Sequence, residues 1–400
     1  NTDSYLYLSS FVYGGQITFK IYGNTANKKD VSISTWVTRE ISAGVVYEDD
    51  PNLPKGEQVV KQEGASGFMA AGERVIMSNG IVEKREALSS SESAISLNEN
   101  DSEAWLNKAI ALNKKEQYAE GLSSSTKSLE IDPVNALAWK NKGIALLGLK
   151  KFNEALLSYN EGIKIDFSDA EAWAGKGMAL AEMGMYEEAL NSYNASLDLD
   201  KSKSDIWAKK SKVLNELAMY DEAITSSTKA IDLNPFDATA WSLKGNAQYN
   251  LGKSADALKS FERTLEINPL ESSAWYSKGL VQVEMGVYEA ALDSFDKATK
   301  IDSRNVAIWI NRGNLLLKMN RSEDALASYQ KALELNPSSS AAWYGKGMAL
   351  NDTGKNDEAL TSYNKAIELN PSNAAAWYGK GLVLRSLNST DESEKALSKA

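Results

Sequence analysis

Nine tryptophans recur at one interval: Trp105, Trp139, Trp173, Trp207, Trp241, Trp275, Trp309, Trp343 and Trp377. The interval is 34 residues each time, without an insertion, and only Trp36 stands outside the series. A fixed period of this kind means a stack of like units, each too small to bury its apolar face except against its neighbours. Each period reads as two short helices. Four residues after each Trp comes a small residue: Ala109, Gly143, Gly177, Ser211, Gly245, Gly279, Gly313, Gly347 and Gly381. Glycine inside a helix costs about 1 kcal/mol relative to alanine, so its recurrence implies that another helix needs the space.

Sixteen residues after Trp lies a second small position: Gly121, Ala155, Ala189, Ala223, Ala257, Ala291, Ala325, Ala359 and Ser393. Four residues further on, six repeats carry an aromatic: Tyr159, Tyr193, Phe261, Phe295, Tyr329 and Tyr363. Ser125, Ser227 and Leu397 stand there in the other three. Pro133, Pro235, Pro269, Pro337 and Pro371 share one phase, where proline stops the second helix and suits the first turn of the next. Large residues thus face small ones across a helix pair.

This pattern resembles the tetratricopeptide repeat over residues 83–400. The resemblance implies an all-α, right-handed superhelical solenoid of nine helix pairs, starting near 102, 136, 170, 204, 238, 272, 306, 340 and 374. It also implies an interaction scaffold rather than a catalyst. Ala87, Leu88, Ala94 and Ile95 fit the second-helix phase, so a lone helix over 84–97 should open the array. Repeat nine lacks the usual Glu-Leu-Asn-Pro closure.

Residues 1–82 have another texture, and predict a small all-β module. The run SYLYLSSFVYGGQITFKIYG places two β-rich stretches around Gly14-Gly15, and ERVIMSNGIVEKRE alternates around Asn79-Gly80; both are hairpin signals. The stretch from Asp50 to Glu86, with Leu-Pro-Lys-Gly, Gln-Glu-Gly-x-x-Gly and Asn-Gly, resembles the glycine-marked G-five modules of microbial surface proteins. The hairpin before it is similar to the region joining such modules in VanW-like proteins. That resemblance implies an envelope or extracellular setting, with a cytoplasmic one as the alternative, and leaves carbohydrate contact open. Strand and helix phases compete over residues 81–90, and a strand running almost directly into the first helix would satisfy both. The module would then cap the end of the solenoid.

Composition removes most chemistry. There is no cysteine and no histidine, which excludes disulfides, thiolate zinc sites and the commonest nucleophile–base pairs. The net charge is −10; residues 1–82 carry 7 basic and 9 acidic side chains, and residues 83–400 carry 37 and 45. Neither part has the basic excess that favours nucleic acid. No 18-residue apolar run spans a bilayer. Paired acids such as Glu187-Glu188 and Asp357-Glu358 recur near second-helix starts, where the helix dipole favours them, and they read as structural. Gly64-x-x-Gly67 lacks the lysine and flanking elements of a phosphate loop, and Glu48-Asp49-Asp50 is too short for calcium. No catalytic, cofactor or metal site is expected. Asn-x-Ser/Thr acceptors at Asn100, Asn194, Asn320, Asn351 and Asn388 come at about the chance number. Asn1 reads as the start of a processed chain or of an excised piece.

Three residues after Trp every repeat is basic: Lys108, Lys142, Lys176, Lys210, Lys244, Lys278, Arg312, Lys346 and Lys380. Such uniformity argues for stems that pack and heads that reach solvent or a nearby carboxylate, because a binding site breaks repeat symmetry. By resemblance, the positions one and five residues after Trp face the concave groove. There Tyr276, Leu280, Ile310, Tyr344, Met348, Tyr378 and Leu382 form an apolar, tyrosine-rich stripe suited to a partner peptide. Asn314, Lys212 and Asn246 share the phase, but the Lys/Asn set that grips a chain-terminal carboxylate is absent.

Two functions remain open at this point. One is a non-enzymatic, surface-exposed fibre or lattice subunit that self-associates head to tail, through complementary solenoid ends or through Tyr5, Tyr7, Phe11 and Tyr13 of the first strand. The other is a monomeric adaptor that binds a peptide in the groove of repeats six to nine.

Overall fold

The computed structural model describes residues 86–400 and six short strands before them. The strands are β1 (Tyr7–Tyr13), β2 (Gln16–Tyr22), β3 (Val46–Glu48), β4 (Val59–Lys61), β5 (Ile76–Ser78) and β6 (Ile81–Glu83). They pair as three antiparallel two-stranded hairpins, β1–β2, β3–β4 and β5–β6. The first sets Tyr7 opposite Tyr22 and Tyr13 opposite Gln16. The third sets Ser78 opposite Ile81 and Ile76 opposite Glu83. Whether the hairpins assemble into one module, and the places of Tyr5, Trp36 and the Gly64–Gly67 stretch, lie outside the described residues.

From residue 86 onward the described chain is a helical solenoid of nineteen helices. A single helix, α1 (Glu86–Leu97), leads. Each first helix of a pair has thirteen residues: α2 (Ser102–Lys114), α4 (Ala136–Gly148), α6 (Ala170–Glu182), α8 (Ser204–Glu216), α10 (Ala238–Asn250), α12 (Ser272–Glu284), α14 (Val306–Lys318), α16 (Ser340–Asp352) and α18 (Ala374–Ser386). The second helices are α3 (Tyr118–Ile131), α5 (Phe152–Ile165), α7 (Tyr186–Leu199), α9 (Tyr220–Leu233), α11 (Ser254–Ile267), α13 (Tyr288–Ile301), α15 (Ser322–Leu335), α17 (Asn356–Leu369) and α19 (Thr390–Leu397). The chain divides into two units, Asn1–Ala179 and Leu180–Ala400.

Local chemistry sets the helix ends. Asp101, Asn135, Asp169, Asp237, Asn305, Ser339 and Asn373 hold one phase, and each side chain accepts a backbone N–H from the first turn that follows. The turn between the helices of a pair always passes through the left-handed region: Gly184, Gly252, Gly286 and Gly354 do so freely, while Glu116, Lys150, Ala218, Asn320 and Asn388 do so at a steric cost. The repeat prolines do not begin the next helix. Pro133 lies three residues before α4, in the inter-repeat turn.

Within each unit the core follows the large-to-small pattern. The six aromatics at Tyr159, Tyr193, Phe261, Phe295, Tyr329 and Tyr363 are fully buried. A Cβ added at Gly279 would stand 2.6 Å from the Phe295 ring, and one at Gly313 would stand 2.8 Å from the Tyr329 ring. Where the aromatic is missing, Ser125 and Ser227 donate to the carbonyls of Gly121 and Ala223, and Leu397 fills the space at Gly381.

Candidate functional site

The tryptophan ladder is structural. Each of the nine indole Nε1 atoms donates to the carbonyl six residues earlier, at 2.8–3.0 Å: Glu99, Pro133, Phe167, Lys201, Pro235, Pro269, Ser303, Pro337 and Pro371. The bond ties every inter-repeat turn to the helix that follows it. The basic residue one helical turn on lies over the ring of its own Trp in all nine repeats, 5.0–5.9 Å from a ring centroid. Several also bridge to the preceding second helix: Lys108 to Glu92 at 3.2 Å, Lys278 to Glu262 at 3.1 Å and Arg312 to Asp296 at 2.6 Å. Burial pushes the ammonium groups of Lys176 and Lys210 below their ordinary pKa. The ladder is a packed seam: every member lies over its own Trp ring, and three of the nine are also ion-paired.

A second periodic feature escaped the sequence reading. Nineteen residues after Trp, eight repeats carry serine, and all eight are buried: Ser124, Ser158, Ser192, Ser226, Ser260, Ser294, Ser328 and Ser362. Ser260 donates to Gln248 and Ser294 to Gln282, each at 2.6 Å across a helix pair, while Ser328 accepts from Arg312. The signal was the same 34-residue period, read at a polar position.

Repeat symmetry breaks in the second unit, where an open groove of about 660 Å³ runs across α12, α14, α16 and α18. Of the residues expected there, Leu280, Tyr344, Met348, Tyr378 and Leu382 line it. Tyr276 and Ile310 do not; both pack against the buried cluster around Phe295, Leu315 and Tyr329. The Tyr276 ring lies 6.0 Å from that of Phe295, and its hydroxyl accepts from Asn311 Nδ2 at 3.0 Å. Val283, Leu317, Asn311, Asn314, Asn351, Lys318 and Asp352 also line it, with Phe295, Leu315 and Tyr363 of the buried core behind them. Of those seven, Asn314 holds the five-residue phase; the others lie two, eight or nine residues after Trp, where a two-position rule could not gather them.

The groove is apolar along its floor and amide-bearing along its wall. Asn314 Oδ1 accepts the hydroxyl of buried Tyr329 at 2.6 Å, which fixes the orientation of that carboxamide. Tyr344 lies tilted on Tyr363, 6.0 Å between centroids, and burial raises its phenol pKa. Tyr378 is 54% exposed. Lys318 Nζ stands 5.3 Å over the ring of Tyr288, and Asp352 accepts from Ser322. Among the described residues no cluster of acidic side chains fits a metal ion.

Models of the tetratricopeptide repeat match residues 170–203, 204–237, 242–306, 310–369 and 349–400, together more than half of the chain. The chain belongs to the tetratricopeptide-repeat family. A G5 domain model matches residues 33–95, running past the boundary expected at 82 and through most of α1. This tetratricopeptide-repeat chain is therefore an interaction scaffold carrying a G5 domain, and proteins of its family bind protein partners and are generally non-catalytic.

No curated protein matches the chain. Among solved structures it is similar to YrrB, described as a TPR protein with an unusual peptide-binding site, at 27% identity over 45% of this chain and 92% of that one, with a TM-score of 0.40. MamA is similar at 22% identity over 39% of this chain and 91% of that one, with a TM-score of 0.37. A chain of the APC/C hetero-tetramer Cut9-Hcn1 is similar at 19% identity and a TM-score of 0.50; the match covers 74% of this chain and 58% of that one. That last likeness shows the fold alone. No helix of the described residues is long and apolar enough to cross a membrane.

Proposed function

We propose that this tetratricopeptide-repeat scaffold is a surface-exposed, non-enzymatic subunit that associates with copies of itself. The observation that carries the reading is the β1–β2 hairpin. It is two-stranded, so both outer edges are unpaired among the described residues. Its sequence from Tyr7 to Tyr13 is rich in apolar and aromatic residues. An isolated hairpin of this size is marginal in water, and an open apolar edge is stabilised by another strand, in its own module or in a neighbour's. Tyr7, Phe11 and Tyr13 belong to that edge, and Tyr5 precedes it. The solenoid supplies a second route, because each repeat is built to receive the next and a head-to-tail contact extends unless it closes. G5 domains are often found in surface or extracellular proteins, which favours that location over the cytoplasm and keeps carbohydrate contact in view.

The deciding measurement is light-scattering mass over a hundredfold concentration range, for the full chain and for residues 83–400. Growth only in the full chain assigns the contact to the N-terminal region, and growth in both assigns it to the solenoid. A constant 43.6 kDa overturns the reading.

The groove favours a second reading, a peptide-binding adaptor, because Leu280, Tyr344, Met348, Tyr378 and Leu382 converge there. Tyr344→Ala with Tyr378→Ala should then weaken capture of a partner peptide at least tenfold, with helix content intact.

A further inference from the structure

Five Asn-x-Ser/Thr acceptors lie in the chain, and the structure separates them by what their hydroxyls do. Asn194 is half-buried inside α7, and its Ser196 is fully buried. Asn351 is half-buried near the end of α16, and its Thr353 Oγ1 donates to the Ala349 carbonyl at 3.1 Å. Asn100 is exposed, but Ser102 Oγ lies 3.0 Å from both the carbonyl and the Oγ of Ser128. In all three the hydroxyl is engaged or covered.

Asn320 and Asn388 differ. Each stands exposed in the turn inside its helix pair, with φ of 57° and 62°. Ser322 and Thr390, two residues on, open α15 and α19. The first N–H groups of a helix have no partner within it, so the chain here can be drawn into an enzyme with few bonds broken. Thr390 is exposed, and its hydroxyl makes no hydrogen bond among the described residues. The Ser322 hydroxyl reaches only Asp352 Oδ2, at 3.3 Å on the surface.

A left-handed turn by itself accounts for an Asn, which tolerates that conformation. It does not account for the hydroxyls. Five of the other seven repeats carry an aromatic at the place of Ser322 and Thr390: Tyr118, Phe152, Tyr186, Tyr220 and Tyr288. That aromatic packs. A Cβ added at Gly148 would stand 2.5 Å from the Tyr118 ring, and Lys318 Nζ lies over the Tyr288 ring. Both turns that hold Asn have exchanged the packing residue for a hydroxyl.

We propose that Asn320 and Asn388 are N-glycosylation sites, each taking a saccharide from a lipid-linked phosphate or pyrophosphate donor. The Asn Nδ2 bonds to the anomeric carbon, and the bond from that carbon to the phosphate oxygen breaks. The lipid phosphate leaves with the electron pair, and the amide gives up one proton. The proposal rests on the surface reading above, because such donors are consumed on the non-cytoplasmic face of a membrane.

The test is glycopeptide mass spectrometry of the full chain purified from the cells that make it, after digestion with trypsin and with a Glu-specific protease. Trypsin releases Asn388 within residues 386–395. The expected result is saccharide mass on Asn320 and Asn388, with Asn100, Asn194 and Asn351 bare. Thr390→Ala, made in the same cells, should lower occupancy of Asn388 at least tenfold, and Thr390→Ser should restore it. Unchanged occupancy in Thr390→Ala overturns the proposal. So do bare Asn320 and Asn388, or saccharide confined to the other three. Labelling intact cells with a membrane-impermeant amine reagent keeps the two readings apart. A labelled chain with bare asparagines removes the modification and leaves the surface location standing. A chain that is both unlabelled and bare removes both.

Discussion

Buried tyrosines at one phase of the repeat differ at their hydroxyls. Tyr329 donates to Asn314, whereas the hydroxyl of Tyr159 is buried without a partner. A buried unsatisfied hydroxyl has lost water and gained nothing, so Tyr159→Phe should leave stability unchanged or raise it by up to about 1 kcal/mol. Tyr329→Phe should lower stability by about 1 kcal/mol, since a made bond is lost. Thermal denaturation of the two variants checks the contrast. Burial, with a smaller contribution from Asp169, holds the Tyr159 phenol far above its ordinary value, and burial does the same for Tyr193, Tyr329 and Tyr363. The sign of the pH dependence follows. These raised groups contribute fully below pH ~10, where the unfolded phenol titrates, and their contribution falls as pH rises beyond it. The urea midpoint should therefore drop between pH 8 and pH 11, and drop less in Tyr159→Phe than in the natural chain.

At the scale of the element, the turn inside each pair sets a steric demand that the sequence meets unevenly. Ala218, with φ of 56°, and Glu116, with φ of 61°, stand where Gly252 and Gly286 serve in other repeats. A Cβ in this region costs about 1–2 kcal/mol, partly offset by the greater entropy that glycine loses on folding. Ala218→Gly should thus stabilise the second unit by about 0.5–1 kcal/mol, and Gly286→Ala should destabilise it by about the same amount or more. Chemical denaturation followed by tryptophan fluorescence reads both. A loss of stability in Ala218→Gly would show that the turn is not held in the left-handed region. The first helices also show how much local sequence decides: an Asp, Asn or Ser before the helix caps it, and the Trp at its fourth position ties it back to the turn. Both arrangements lie within six residues.

On the scale of the whole molecule, stability in a repeat array is close to a sum of units and nearest-neighbour interfaces. Deleting one full period, residues 204–237, joins equivalent positions and should preserve helix content per residue and a cooperative transition. Deleting half a period, residues 204–220, strands one helix without its partner and should lower helix content by more than the share removed. Circular dichroism distinguishes the two; equal loss in both would mean that the 34-residue unit is not the unit of stability.

The sequence alone determined the repeat, its two-helix unit and the burial of its aromatics, because those depend on contacts that recur at one spacing. The basic residue three positions after Trp was legible as structural for the same reason, although its seat over the ring emerged only in three dimensions. The groove was legible in part. Leu280, Tyr344, Met348, Tyr378 and Leu382 line it, but Tyr276 and Ile310 are drawn into the core beside Phe295 and Leu315, and Asn311, Asn351 and Lys318 join the wall from other phases. Which side chain faces a hollow and which fills the seam is decided by the fit of four helices more than a hundred residues apart in total span. Large and small residues must share that space, and a periodic pattern cannot show how they divide it. The exposed Phe236 and Leu270 belong to the same class: their letters were visible in the chain, but only the packed turns show how far they stand out, Phe236 with Arg263 over its ring.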